Sequence, residues 1–254
     1  MKNASYLSGL VLMVLAASIT FEAKGDLDPV LEGRGWDEIP FDDKATNLFT
    51  APAVSSRPGE AIDVLSDASV SVASLTAEIS IEETPFLEWE WPARNADPDT
   101  DTTLKGGDDR TLAVYIAFPW QRNKASFGER LQRPLVEALK GRDTPGRILT
   151  YVWGGGAAVG EGFENPYTGK YGRMIIRKAP GTPLNTWHPE AVNVRQDFID
   201  AFGFEPVDPL YIAVGSDSDD TGVMLRSSVR GLAFSASASA NASTSTNTGD
   251  DAGN

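Results

Sequence analysis

Residues 86–91 read Phe-Leu-Glu-Trp-Glu-Trp, and this alternation decides the fold class. In an extended chain, Leu87, Trp89 and Trp91 point to one side, while Glu88 and Glu90 point to the other. This pattern indicates a half-buried β-strand that turns one face to a hydrophobic core. Residues 112–118, Leu-Ala-Val-Tyr-Ile-Ala-Phe, form a continuous apolar run instead, which is typical of a strand covered on both faces.

Further apolar segments, separated by clusters of Gly, Pro and Asp, complete the set of strands. They are Val70–Ile81, Ile148–Trp153, Met174–Ile176, Leu210–Val214 and Val229–Phe234. Two short helices are predicted: one capped by Asn193 and ended by Gly203, and one over Pro134–Lys140 with the proline at its first position. Runs of strands with so few helices favour an all-β antiparallel sandwich over alternating βαβ units.

The N-terminus has the pattern of a secretory signal peptide. Lys2 precedes the apolar run Leu7–Ile19, small residues follow, and polarity then returns. We therefore predict a signal peptide over residues 1–24 and a periplasmic or secreted protein; the alternative is an uncleaved N-terminal anchor. A single β-sandwich domain over 25–234 and a disordered tail over 235–254, rich in Ser, Ala and Thr, complete the predicted organisation.

Composition narrows the classes of partner. The formal net charge is −14, which argues against nucleic acid and anionic lipid, because both attract proteins through Lys and Arg. The chain has no cysteine, so its stability cannot depend on disulfides. After the signal peptide, no apolar run reaches the ~20 residues that span a bilayer, so no membrane span is expected.

The sequence excludes several kinds of catalytic site and argues against others. His188 is the only histidine and cysteine is absent, which excludes His-rich zinc sites and a Cys nucleophile. No Gly-x-Ser-x-Gly motif is present to form a triad with His188. Glu88 and Glu90 share one face of a strand, as a glycosidase pair would, but a solvated strand face has the same pattern.

Acidic residues cluster directly after the strand Leu210–Val214. Asp217, Asp219 and Asp220 precede a glycine, as oxygen ligands do in calcium loops, although Ser228 stands where an EF-hand needs a glutamate. Calcium is therefore a possible cofactor, and an Asp/Gly turn without metal is the alternative. The pair Asp108–Asp109, at the start of another strand, is expected at the same end of the sandwich.

Large aromatic side chains offer a second kind of site. Trp89 and Trp153 are assigned to the core, whereas Trp120 and Trp187 lie beside predicted loops and are candidates for exposed rings that stack on sugars.

Short motifs in a fixed order match a known family. They include Trp36 with Phe41, Leu87-Glu-Trp-Glu-Trp91, Gly107-Asp-Asp-Arg110, Asn165-Pro-Tyr167, Phe202-Gly203 and Asp217-Ser-Asp-Asp-Thr-Gly222. From Trp36 to Phe234 the sequence resembles the bacterial family of domain of unknown function 3047. The resemblance implies an exported protein with a jelly-roll-like sandwich, and it carries no activity.

The resemblance also bears on the acidic residues. Family motif positions coincide with Asp108, Asp109, Arg110, Asp197, Asp217, Asp219 and Thr221. The family more often has Arg or Lys where Glu90 stands, which weakens a catalytic Glu88/Glu90 pair. The resemblance therefore favours the acidic end of the sandwich as the site.

Together these observations lead to one hypothesis and two alternatives. We expect a non-catalytic module that binds a glycan or cell-envelope polysaccharide, with no catalytic residues. Its expected ligand-binding residues are Asp108, Asp109, Arg110, Trp120, Asn165, Tyr167 and Trp187, with Asp217, Asp219 and Asp220 as metal ligands. One alternative is a glycoside hydrolase or polysaccharide lyase that uses Asp109, Asp217 or Asp219. The other is a structural envelope protein in which Arg110 and these acids form a buried network, with no pocket beside them.

Overall fold

The computed structural model describes residues 27–41, 43–52, 61–140 and 144–239; for residues 139 and 140 it describes the backbone alone. The predicted signal peptide and residues 240–254 of the predicted tail lie outside the described residues. The helices are α1 (Pro29–Glu32), α2 (Phe127–Lys140) and α3 (Val194–Phe202). The strands are β1 (Trp36–Pro40), β2 (Leu48–Thr50), β3 (Ala61–Asp67), β4 (Ser71–Thr76), β5 (Phe86–Trp91), β6 (Arg110–Phe118), β7 (Arg147–Trp153), β8 (Gly162–Asn165), β9 (Gly169–Lys178), β10 (His188–Asn193), β11 (Tyr211–Asp217) and β12 (Met224–Ser235).

The strands form two sheets, which confirms the all-β sandwich predicted from the sequence. The seven-stranded sheet has the order β1-β4-β11-β6-β7-β9-β8, and the five-stranded sheet has the order β10-β5-β12-β3-β2. Paired strands run antiparallel except β7 and β9, which run parallel. The predicted strand Val229–Phe234 lies within β12, which continues to Ser235, the first residue of the predicted tail, because Ser235 still pairs with Phe86.

The core lies between the two sheets and is rich in aromatic rings. The alternation in β5 places Leu87, Trp89 and Trp91 in this core. Trp89 and Trp91 meet edge to face with ring centroids 5.2 Å apart, and Trp153 of the opposite sheet packs against Trp91 at 5.7 Å. Edge-to-face rings add to the gain from burial, so these contacts hold the two sheets together without disulfides.

Both predicted helices are present, one of them with a different start. Helix α3 is confirmed: the Asn193 side chain accepts a hydrogen bond from the Gln196 N–H, and Gly203 ends the helix in the left-handed conformation at φ 77°. The predicted start of the other helix at Pro134 is wrong, because α2 begins at Phe127 and contains Pro134. The backbone N–H of Glu129 donates to the Ser126 hydroxyl and that of Ser126 to the Glu129 carboxylate, so a capping box starts α2 well before the proline.

Candidate functional site

A groove crosses the outer face of the seven-stranded sheet, on the side away from the core. Its cavity measures about 480 Å³. The lining residues come from β1, β4, β6, β7, β8, β9 and β11 and from the loops beside them: Ile39, Phe41, Lys44, Val70, Val72, Asp108, Arg110, Tyr115, Ile148, Thr150, Asn165, Tyr167, Thr168, Gly172, Tyr211, Ala213, Asp217 and Asp219. We refer to this cavity and its lining as the groove.

The floor of the groove follows from strand register. Ala213 of β11 pairs with Tyr115 of β6, which in turn pairs with Thr150 of β7. Their neighbours along each strand, such as Val114 and Val214, belong to the core. Because side chains alternate between the faces of a sheet, the three residues form one row on the outer face.

One wall of the groove is built by the turn between β8 and β9. The Asn165 side-chain oxygen accepts hydrogen bonds from the N–H groups of Tyr167 and Thr168 at 2.9 and 3.0 Å, an Asx turn that fixes the wall. Tyr167 is 56% exposed, and its hydroxyl accepts a hydrogen bond from the Gly106 N–H at 3.0 Å. Glycine at position 172 allows this close packing, because a Cβ atom there would lie 2.3 Å from the Thr168 hydroxyl oxygen and 2.9 Å from Asn165 Cβ.

The opposite wall is formed by the segment that follows β1, which carries Phe41 and Lys44. Phe41 is 46% exposed. The fully buried Asn47 anchors this segment, since its side-chain amide donates to the carbonyls of Ser71 and Ser216 at 2.9 and 2.8 Å. The amide therefore ties the wall to β4 and β11.

A buried ion cluster closes one end of the groove. The Nη1 atom of Arg110 lies 3.2 Å from Asp108 Oδ2 and 3.1 Å from Asp217 Oδ2. Its Nη2 and Nε atoms donate to the Tyr115 hydroxyl at 2.7 and 3.3 Å. The Tyr115 oxygen therefore accepts two hydrogen bonds from Arg110. Its hydroxyl hydrogen is still available to donate to another group.

Asp217 and Asp219 form an unequal pair of carboxyl groups at this end. Asp217 Oδ1 is buried and has no N–H or O–H donor among the described residues. Burial, against the opposing effect of Arg110 and with a smaller contribution from the contact with the Asp219 carboxyl, raises the pKa of Asp217 to about 8. Burial also acts on Asp219, but its contact with Asp217 and the ammonium of Lys44 outweigh that effect and lower its pKa. The pKa values of the two carboxyl groups are therefore shifted in opposite directions, upward for Asp217 and downward for Asp219.

Asp109 turns away from the groove into the loop after β11. Its carboxylate accepts hydrogen bonds from the N–H and the hydroxyl of Thr221, at 2.7 and 2.5 Å. Among the described residues, Asp109, Asp219 and Asp220 are the acids whose oxygens lie within 4.8 Å of one another and could hold a metal ion. The sequence grouped Asp217 with Asp219 and Asp220; the structure places Asp109 in that position and pairs Asp217 with Arg110.

The groove brings together most, but not all, of the residues singled out from the sequence. Those in it are Asp108, Arg110, Asn165, Tyr167, Asp217 and Asp219. Trp120 lies outside, in a small crevice beside Gly146, with Arg133 5.3 Å above its ring. Trp187 lies beside the five-stranded sheet, where Arg230 stacks 4.0 Å from the ring centroid. Asp197 is also outside and accepts a hydrogen bond from the core residue Tyr151 at 2.7 Å.

Sequence reasoning assigned no role to Lys44, Tyr115, Tyr211 or Phe41 in the site. Alternation within residues 112–118 could have placed Tyr115 opposite the core residues of its strand. No sequence signal could place Lys44 beside Asp219, since their contact depends on how the strands are ordered in the sheet. The interpretation of the acids as a purely structural network predicts no pocket beside them, whereas the groove lies directly beside Arg110 and Asp217.

Comparison with protein families gives a match over most of the chain. The family described as "Protein of unknown function (DUF3047)" matches residues 34–233. The chain belongs to this family. The DUF3047 description assigns no activity, and comparison with curated proteins found no match.

Among solved structures, the chain is similar to the xyloglucanase domain of NopAA, a type three effector from Sinorhizobium fredii, in complex with cellobiose. The sequence identity is 9% and the TM-score 0.40, over 79% of this chain and 95% of that chain. This likeness is too distant to inform on activity.

Proposed function

We propose that the groove binds a glycan chain and that the protein is a non-catalytic glycan-binding module of an exported bacterial protein. The observation that carries this proposal is the shape and lining of the groove: an open cavity of about 480 Å³ with rings on its walls and floor and charged groups at one end. Ligand sites of this size usually combine an apolar surface with a few convergent polar groups.

The two kinds of lining match the two kinds of surface on a sugar. Phe41 and Tyr167 stand exposed on opposite walls, where their rings can pack against the C–H faces of sugar rings. At the charged end, the Asp108 carboxylate and the hydroxyl of Tyr115 supply an acceptor and a donor for sugar hydroxyls. Arg110 holds both groups in place, so little ordering is needed on binding.

Affinity electrophoresis against a panel of soluble polysaccharides tests this proposal, with isothermal titration of any polysaccharide that retards the protein. We expect Tyr167→Ala and Phe41→Ala each to weaken binding roughly tenfold, as loss of one stacked ring would. Trp187→Ala is the matched control, because it removes an aromatic ring from the other sheet. Binding to no polysaccharide, or equal losses in the Trp187→Ala control, would refute the proposal.

We infer an acid–base enzyme, a glycoside hydrolase or polysaccharide lyase, as the second candidate. The observation in its favour is the separation of the pKa values of Asp217 and Asp219 within the groove, as in many acid–base pairs. It ranks second because the two carboxyl groups are in direct contact, whereas those of glycosidases stand about 5 to 9.5 Å apart.

Turnover distinguishes the two candidates. A reducing-sugar assay and an assay for unsaturated products are run on the same polysaccharides with the wild type and Asp217→Asn. Product released by the wild type and lost in Asp217→Asn, with the glycan still bound, would establish the enzyme. Binding without product from either protein supports the binding module.

A further inference from the structure

Helix α2 turns its apolar side away from the protein. Phe127, Leu131 and Leu135 are 82%, 72% and 64% exposed. Residues four apart lie above one another on a helix, so the three side chains form one continuous stripe, which we call the α2 stripe. Contiguous exposed apolar surface of this kind marks an interaction site.

The opposite side of α2 is charged and faces the protein. Glu129 is 7% exposed, and its Oε1 atom lies 3.1 Å from Arg147 and 3.2 Å from Lys170. Arg133 donates to the Thr144 carbonyl at 2.6 Å and lies over the Trp120 ring. A helix that packs on a core has its apolar side inward, so α2 has the reverse orientation and is held by ion pairs.

The surface around the α2 stripe is basic although the protein is acidic. Residues 119–138 contain four cationic side chains and two anionic ones. Arg122, Lys124 and Arg130 are exposed, while the two acids, Glu129 and Glu137, are engaged in ion pairs. Exposed charges are screened beyond about 8 Å at physiological salt, so the net charge of −14 does not govern this surface.

We propose that α2 docks the protein on the surface of a bilayer containing anionic phospholipids. The α2 stripe enters the boundary between headgroups and acyl chains, while Arg122, Lys124 and Arg130 contact the lipid phosphates. Helix α2 lies in the interface and does not cross the bilayer, in agreement with the finding that none of the described helices is long and apolar enough to do so.

The charges favour a lipid surface over a second copy of the chain. Two α2 helices paired through their stripes would bring the exposed Arg130 side chains of both copies to the edges of one interface. Like charges so placed repel each other, whereas a layer of lipid phosphates neutralises them.

A probe attached to the stripe tests the proposal on the full chain. Because the chain has no cysteine, Leu131→Cys provides a single site for an environment-sensitive fluorophore, and Leu184→Cys, also at an exposed leucine, is the matched control. We expect a blue shift at position 131 on adding vesicles of equal parts phosphatidylglycerol and phosphatidylcholine, and quenching by bilayer-embedded nitroxides. No such change is expected at position 184. Because the label reports the surroundings of position 131 and is compared with position 184, the readout distinguishes insertion of the α2 stripe from attachment of the chain through residues 1–26.

The charge requirement is tested with the same label. Arg130→Gln and Lys124→Gln, each combined with Leu131→Cys, should each weaken partitioning about fivefold, and vesicles of phosphatidylcholine alone should give a far smaller shift. The absence of a blue shift with anionic vesicles would overturn the proposal. A blue shift that rises with protein concentration in the absence of lipid would also overturn it, in favour of a second copy.

Discussion

The Arg110 guanidinium and the Asp217 carboxyl group meet in a buried contact across the junction of β6 and β11, with Nη1 and Oδ2 3.1 Å apart. Both side chains are more than nine-tenths buried, and both line the groove. The same guanidinium also binds Asp108 and Tyr115, so one cation organises the charged end of the groove.

Loss of this cation should destabilise the fold strongly. Arg110→Met leaves the buried Asp108 carboxylate without its counter-charge and removes the donor that holds Asp217 and Tyr115 in place, and we expect a loss of about 3 to 5 kcal/mol in the free energy of unfolding, measured by urea denaturation. Arg110→Met combined with Asp108→Asn should recover part of this loss, because the stranded charge is removed. A single variant as stable as the wild type would contradict this account.

Asp217 should make stability depend on pH. Its pKa rises from an ordinary 3.8 to about 8 on folding, so between these values the folded state holds a proton that the unfolded state has lost. The free energy of unfolding therefore falls as pH rises from about 4 to about 8, by at most about 1.4 kcal/mol per pH unit. Asp217→Asn cannot titrate, and urea denaturation across this range should show a shallower slope. Equal slopes in the two proteins would show that Asp217 titrates normally.

Gly215, on the interior strand β11 of the seven-stranded sheet, should not tolerate a side chain. A Cβ atom there would lie 2.5 Å from the Ser71 carbonyl oxygen and 2.7 Å from a Val72 methyl group. We expect Gly215→Ala to cost about 3 kcal/mol in thermal or urea unfolding, at the upper end of overpacking costs, since backbone must move. Gly128→Ala is the control, because a Cβ atom at this helical position meets nothing within 4 Å and the variant should be at least as stable as the wild type.

Lys44 should compete with calcium for the acids beside the groove. Its ammonium pairs with Asp219, one of the three acids that could hold a metal ion. Lys44→Gln removes the competing charge, so we expect added Ca²⁺ to raise the melting temperature of this variant more than that of the wild type. Asp220→Asn in the same background should abolish the difference. Identical melting temperatures with Ca²⁺ and with chelator in all three proteins would refute the calcium prediction.

The sequence predicted those parts of the fold that rest on local patterns. The alternation in β5, the apolar run in β6 and the Asn193 cap of α3 each depend on near neighbours in the chain, and each is present as expected. The strands β1, β2, β3, β8 and β10 were not recognised. They are short or carry charged residues between their buried positions, as in Ala61–Asp67, where Ile62 and Val64 face the core.

The site could be predicted only where its residues lie close together in the sequence. Asp108 and Arg110 share one motif, and Asp217 and Asp219 share another. The sequence therefore predicted a charged site made of these residues. Trp120 and Trp187 are residues of the type that stacks on sugars, but both lie outside the groove. Arg133 covers the ring of Trp120 and Arg230 that of Trp187. Which rings enter the groove depends on strand order and register, which local sequence does not encode.

The order of strands in the two sheets also determines when the protein can fold. The last two strands of the described residues, β11 and β12, occupy interior positions, β11 between β4 and β6 and β12 between β5 and β3. Neither sheet can be completed until these C-terminal strands have been synthesised. Pairing between strands that are far apart in the sequence is also slow. Until then the strands on either side have unpaired backbone edges, which are prone to aggregation. A chain shortened before Tyr211 would therefore lose the centre of both sheets at once, and with it the groove.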